Sequence, residues 1–462
     1  MKINNNISAL YTNKYLNKAN SDMEKALERI SSGYRINRAA DDAAGMAIST
    51  KMKTQIAALE QANRNSADAV SVIQIAEGAL GEVQSMLQRT RELSVQGAND
   101  TLSEDDSAAI QAEVDQLKKE IDRVSTITEY NTKPLLDGSV DRKVLSSNKK
   151  INLHYFSDEV EPQEYKVKVT QSATKATFIA PSVVQGTTCP GGSLSINGTA
   201  VIIAPGTSVD AVLDKVKNLC DTMDISLSTE GGSLLDVGSK LVLTNKYYGA
   251  SYEVNLKDSD PAMLTYLGLD SEAAVTGIDA KISKEKGFSN TATVLTDGET
   301  VTISDKEGFM MKFNVGDAAV DTEVTFTVLD AGPMNIQVGS SEHQVMSVRI
   351  PKTDTLSLGI DKVSVRNQLS AEKAITKVDD AISQISAIRA KLGAYQNRLE
   401  QTMTNLEGAS LNTTEALSRI SDTDIAAEMT EYTQKSVLVQ AASAMLAQAN
   451  EKPQQVLALL QG

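Results

Sequence analysis

Residues 421–460 carry apolar side chains at helical spacing. Ile425, Met429, Tyr432, Val439 and Leu446 follow a four-and-three series, with Leu438, Ala442, Met445 and Ala449 beside it. Such a helix stays folded only if the stripe is covered, at roughly 1.5 to 3 kcal/mol per large side chain buried. No stretch of compact-domain type precedes it, so it needs a partner helix from the same chain or from a second copy. Ser421 with Asp424 three residues on reads as a capping-box start. Pro453 reads as the end of the helix, leaving the short apolar tail Val456, Leu457, Leu459 and Leu460.

The other end of the chain repeats the pattern more weakly. From Ile3, the residues Ile7, Leu10, Tyr11, Met23, Leu27 and Ile30 recur at threes and fours. Residues 1–40 hold seven Lys or Arg against three Asp or Glu, whereas residues 410–462 hold three against six. Opposite signs favour the two ends lying side by side, although an exposed pair contributes only about 0 to 1 kcal/mol. Between residues 30 and 46, Ser31, Ser32 and Gly33 end one helix. Asn37 reads as the cap of the next, with Asp41 and Asp42 in its first turn.

Three longer stripes follow. Met52, Ile56, Leu59, Asn63, Ser66, Val70, Ile73, Glu77, Leu80, Gln84 and Leu87 keep a seven-residue repeat with polar residues on the seam, the mark of a bundle helix. Ser103 and Asp106 then cap a helix whose seam is Ile110, Val114, Leu117, Ile121 and Val124. From residue 370, the series Ile375, Val378, Ile382, Ile385, Arg389, Leu392, Gln396, Leu399, Met403 and Leu406 runs without a slip over ~47 Å. These lengths match well enough for a three- or four-helix rod built from both halves.

The middle is different. No proline occurs before Pro134 or between Pro351 and Pro453, while all six phenylalanines and both cysteines, Cys189 and Cys220, lie in the middle. Short Val-, Ile- and Thr-rich pieces at 151–156, 165–170, 194–203, 240–244, 292–303, 311–315, 323–328 and 344–350 predict strands, with one helix at 208–219. The fold class is therefore α+β: an elongated multi-domain chain with long helices from both termini and a β-rich insertion between them.

A formal net charge of −15 argues against nucleic acid as partner. No run of eighteen apolar residues offers a membrane-spanning helix, and residues 1–20 lack the apolar core of a cleavable signal peptide. Catalysis is not expected. The two histidines, His154 and His343, lie far apart outside any HExxH pattern, no nucleophile constellation or phosphate loop occurs, and nothing calls for a metal or cofactor. The cysteine spacing fits no metal or redox motif and leaves the disulfide state open.

Residues 29–49, RISSGYRINRAADDAAGMAIS, then AEGAL at 76–80 and LQRTRELSVQ at 87–96, resemble the amino-terminal signatures of bacterial flagellins. LGAYQNRL at 392–399, and Arg419, Asp424, Met429, Gln440 and residues 445–450, are similar to that family's carboxy-terminal arm. The resemblance covers roughly residues 1–137 and 333–462. Within the insertion, LSINGT at 194–199, the helix after Gly206 and the runs at 241–244 and 267–269 resemble a repeat of flagellins and hook-associated proteins. A hook–filament junction component is the alternative; residues 76–80 and 440–450 favour flagellin.

The resemblance implies three divisions: terminal arms 1–44 plus 410–462 in an inner tube, a helical domain 45–144 plus 333–409, and a surface-exposed insertion 145–332. It implies secretion through the flagellar export apparatus to an extracellular flagellum. The implied partners are further copies of the chain, an export chaperone, cap and hook-associated proteins, and host Toll-like receptor 5. The implied polymerisation residues are Ile3, Ile7, Leu10, Leu27, Ile30, Arg35, Ile425, Met429, Leu438, Met445 and Leu446. The implied receptor site is Gln88, Arg89, Glu92, Leu93, Gln96, Ile110 and Glu113, with Leu93 as an apolar anchor. Arms without partners are expected to be mobile in a free monomer and to order on assembly.

Overall fold

The computed structural model describes residues 6–99, 101–157, 159–185, 188–230, 239–257, 259–269, 274–316 and 320–461. The helices are α1 (Ile7–Ser32), α2 (Ala43–Gly97), α3 (Glu104–Ile127), α4 (Val209–Thr222), α5 (Pro261–Tyr266), α6 (Thr355–Leu358), α7 (Gln368–Ser421) and α8 (Ile425–Gln461). The chain divides into two compact units. One holds Met1–Ala69, Gln337–Met346 and Arg398–Gly462; the other holds Val70–Ile336 and Ser347–Asn397. Helices α2 and α7 each contribute residues to both.

The second unit contains the bundle anticipated from the seams. Ile73, Leu80 and Leu87 of α2, Val114 and Ile121 of α3, and Val378, Ile385 and Leu392 of α7 are all fully buried at seven-residue steps. Ser103 caps α3 with Asp106 in a reciprocal capping box, as its sequence predicts. The polar seam residues are paired: Arg389 of α7 meets both Gln84 and Glu77 of α2.

The rest of this unit is antiparallel sheet. One four-stranded sheet runs in the order Lys281–Lys286, Glu164–Gln171, Glu323–Val328, Val144–Ser146, and another Thr293–Asp297, Thr300–Ser304, Met310–Asn314, Asn152–Phe156. They share a core in which the Phe313 and Phe326 rings meet tilted by 52° at 5.0 Å between centroids and Tyr165 lies among Phe288 and Phe309. A second core forms where Val212, Val216 and Leu219 of α4 cover Ile225, Leu241 and Leu243 of a three-stranded sheet. Residues 194–203 and 292–303, each expected as one strand, are hairpins folded at Asn197-Gly198 and Gly298. Strands of two or three residues, such as Glu129–Tyr130 and Glu253–Asn255, are too short to leave a period in the sequence.

The loops meeting near Asp279 are held by backbone contact. Asp279 accepts from the N–H groups of Ala250 (2.8 Å) and Gly298 (3.0 Å), and Thr174 bridges Ile278. Gly249 (φ +117°) and Gly298 (φ +64°) pass so closely that a Cβ on Gly249 would lie 2.4 Å from the Gly298 Cα. Cys189 and Cys220 are both free and buried, and burial pushes the Cys220 thiol up to about 12.

Three expectations at helix ends are corrected. Ser421 is the last residue of α7 and hydrogen-bonds back to the Leu417 carbonyl at 3.0 Å. Asp424 caps α8 instead, accepting from Ala426 N (2.9 Å) and Ala427 N (3.2 Å). At the start of α2, Asp42 accepts from Gly45 N at 2.9 Å, while Asn37 sits in a turn closed by Asp41. Helix α8 continues through Pro453 to Gln461, at the cost of the one intrahelical hydrogen bond that a proline cannot donate.

Candidate assembly surface

In the first unit the two ends of the chain pair with each other. Helix α1 begins at Asn6, whose side chain accepts from Ala9 N, and ends at Gly33, which takes the left-handed conformation (φ 74°) and donates to Arg29 O. Four contacts define how it lies along α8: Asn6 with Ala449, Asp22 with Lys435, Arg29 with Glu428, and Tyr34 with Asp422. From one contact to the next, α1 advances by 16, 7 and 5 residues while α8 retreats by 14, 7 and 6. The helices are therefore antiparallel in a single register.

The end near Tyr34 is stitched by backbone. Arg35 N donates to Ser421 O (2.7 Å), Thr423 N donates to Gly33 O (3.0 Å), and the Arg35 guanidinium reaches Ile420 O (2.7 Å). Gly45 lies close beneath this loop, since a Cβ there would meet Asp42 Oδ2 at 2.4 Å and Ile36 Cδ1 at 2.6 Å and displace those side chains. One to two turns from that end, Glu428 is buried and receives Arg29 at 3.4 Å.

The pairing covers little apolar surface. Among the described residues, Ala26 and Ala449 are the buried apolar residues of α1 and α8. Ile7, Leu10, Leu27, Ile425, Met429, Leu438 and Met445 are exposed, Leu10 and Met445 by 68% and 64%. Ile30 and Leu446 are half-buried, Arg35 is the stitching residue, and Ile3 lies outside the described residues. Tyr11, Tyr15 and Val437 are also exposed. Tyr15 was legible as the four-residue continuation of Tyr11. The arms thus find partners in one another within a single chain, and still leave an open apolar surface of the kind that marks an interaction site.

A second cluster lies in the other unit. Gln88, Arg89, Glu92 and Gln96 of α2 and Glu113 of α3 are exposed, and Arg89 bonds Glu113 at 2.8 Å and Glu92 at 3.1 Å. These carboxylates raise the Arg89 guanidinium above its ordinary range. Leu93 is 1% exposed and Ile110 is also buried. Leu93 is therefore not a surface anchor: it sits beside Ser94, one seam step beyond Leu87, and faces the helical core.

Burial pulls the His154 imidazole below its ordinary value, and His343 is exposed beside Glu342. Among the described residues no group of three His, Cys, Asp or Glu side chains could hold a metal ion. No helix among them is long and apolar enough to cross a membrane.

This arrangement defines an α+β interaction protein, with paired terminal helices that present an uncovered apolar strip. Residues 3–141 match the profile of the bacterial flagellin N-terminal helical region, and residues 375–460 that of the C-terminal helical region. A flagellin of Clostridium tyrobutyricum is 34% identical over 458 residues, covering 98% of this chain and all of the relative. The B-type flagellin of Pseudomonas aeruginosa is 34% identical over 495 residues, covering 100% and 99%. A flagellin of Bacillus subtilis is 33% identical over 463 residues, covering both chains in full. The chain belongs to the bacterial flagellin family. It is a structural subunit of the flagellar filament.

Proposed function

We propose that the chain is exported without catalytic activity of its own and polymerises head to tail, the strip on α1 and α8 being covered by the same helices of neighbouring copies. The observation that carries this is the strip itself: Leu10, Tyr15, Val437, Leu438 and Met445 stay exposed after the two arms have paired. Contacts of this kind between unlike surfaces of identical subunits propagate as an open helix. On this reading residues 1–44 and 410–462 supply the innermost contacts, and an export chaperone shields the strip before assembly. Cap and hook-associated proteins meet it at the filament ends, and the filament lies outside the cell.

Seeded growth tests the proposal. Leu438→Asp and Met445→Asp should leave the circular dichroism of the β-rich region unchanged and stop elongation from sheared wild-type filaments. Normal growth of both variants would refute the strip as the assembly surface.

A second reading concerns Toll-like receptor 5. Arg89, held between Glu92 and Glu113 at the surface, presents a pre-ordered charged patch at the family's recognition positions. Recognition there rests on the exposed Gln88, Arg89, Glu92, Gln96 and Glu113, with Leu93 and Ile110 supporting them from beneath.

A further inference from the structure

The two ends of the α1–α8 pair are held differently. Near Tyr34, backbone bonds fix the register; at the other end the corresponding contact among the described residues is a side-chain hydrogen bond, Asn6 Nδ2 to Ala449 O at 2.8 Å. Ala449 is four residues before Pro453. In a helix the carbonyl of Ala449 would accept from the N–H of residue 453, and proline has none. The orphaned oxygen belongs to a buried residue, 7% exposed, where an unmet carbonyl is unfavourable.

We infer that Asn6 is a positioning residue for filament assembly: its amide fills the vacancy that Pro453 creates in α8 and so locks the far end of α1 into register. One side chain serves both helices. Its Oδ1 accepts from Ala9 N at 3.1 Å and starts α1, while its Nδ2 donates to Ala449 O. Because the acceptor is open at that turn of α8, a shift of α1 by one turn would set the Asn6 amide against a carbonyl already bonded within the helix. The device selects one register from several that the sparse apolar contacts between α1 and α8 would tolerate. This inference rests on the proposed use of the strip in assembly, since it explains how the exposed residues of the two arms are aligned into one surface.

Asn6→Asp and Asn6→Ser separate the two duties. Both residues cap helices well, but the carboxylate has no N–H, and the hydroxyl is too short to serve Ala9 and Ala449 together. Full-length chains carrying either change should elongate seeds about tenfold more slowly, the fold-change of one hydrogen bond of ordinary strength. Hydrogen exchange at residues 7–13 within the filaments should quicken to match. Pro453→Ala restores the missing N–H, so adding it should bring both variants back to within about threefold of the parent, since the vacancy no longer needs Asn6. Wild-type growth of both Asn6 variants, or no rescue by Pro453→Ala, would overturn the inference. Leu438→Asp run alongside keeps the two ideas apart. Growth of that variant removes the assembly surface itself, whereas its arrest together with normal Asn6→Ser filaments removes only the lock.

Discussion

Arg389 on α7 donates to Gln84 on α2 at 2.5 Å, and its second nitrogen reaches Glu77 at 3.4 Å. All three sit on seams that are mostly apolar, and a guanidinium placed there fixes the stagger of the two helices by geometry as well as by packing. Arg389→Ala is expected to destabilise the helical bundle by about 1 to 2 kcal/mol, a figure reduced because the pair is about one-third exposed. A double-mutant cycle with Gln84→Ala should return a coupling of roughly 0.5 to 1 kcal/mol in denaturant titrations. Additive effects of the two changes would show that the contact does not fix the stagger.

Gly298 permits a crossing that no other residue does. A Cβ there would lie 2.2 Å from the Tyr248 carbonyl oxygen, and its φ of +64° disfavours side chains independently. Gly298→Ala should therefore cost about 2 kcal/mol or more and lower the thermal midpoint of the β-rich region. Gly308→Ala is the control, because although its φ is also positive its nearest neighbour is a Glu159 side-chain carbon at 3.5 Å. Equal losses from the two would mean that backbone strain, and not the close crossing, is what matters.

The receptor patch gives opposite expectations for two residues four apart in the chain. Arg89 is exposed, so Arg89→Ala should leave the melting curve unchanged while weakening binding to the Toll-like receptor 5 ectodomain by tenfold or more on the order of a hot-spot truncation. Leu93 is buried, so Leu93→Ala should destabilise the bundle by about 2 to 5 kcal/mol, and its effect on binding should track the fraction unfolded. Surface plasmon resonance beside calorimetry distinguishes them. Undiminished binding by Arg89→Ala would remove the patch from recognition.

What the sequence made legible was whatever repeats. Ile73, Leu80 and Leu87, and Val378, Ile385 and Leu392, announce buried seams because burial at every seventh position leaves a period behind. Glu77, Gln84 and Arg389 looked like interruptions of that period, and only the structure pairs them. Helix ends were harder. Ser421 and Asp424 satisfy a capping pattern in one dimension, yet the chain reverses within residues 422–424, which leaves Ser421 in the last turn of α7 and gives the cap to Asp424. The exposed strip on α1 and α8 was readable as spacing, whereas Asn6 was not. Its importance depends on a carbonyl 443 residues away that a proline leaves open. Leu93 was assigned from resemblance; the seam period, which runs on from Leu87 to Ser94, would have placed it next to the core.

Burial lowers the Lys391 ammonium from 10.5 to about 8, with its Nζ 5.4 Å from the centre of the Tyr395 ring. Between these two values the unfolded chain binds more protons at this site than the folded one, so folding stability from this group rises with pH across that window. Below about pH 8 the residue is charged in both states, and the folded protein carries the full penalty of a partly desolvated ammonium. Lys391→Met is therefore expected to stabilise the protein most at pH 7, by about 1 kcal/mol after allowing for solvent screening, and progressively less towards pH 10. Urea titrations of the parent and the variant at pH 7, 8, 9 and 10 read this directly as a gap that narrows. Because other groups titrate equally in both chains, two curves that stay parallel over this range would mean that Lys391 keeps its ordinary proton affinity in the folded state.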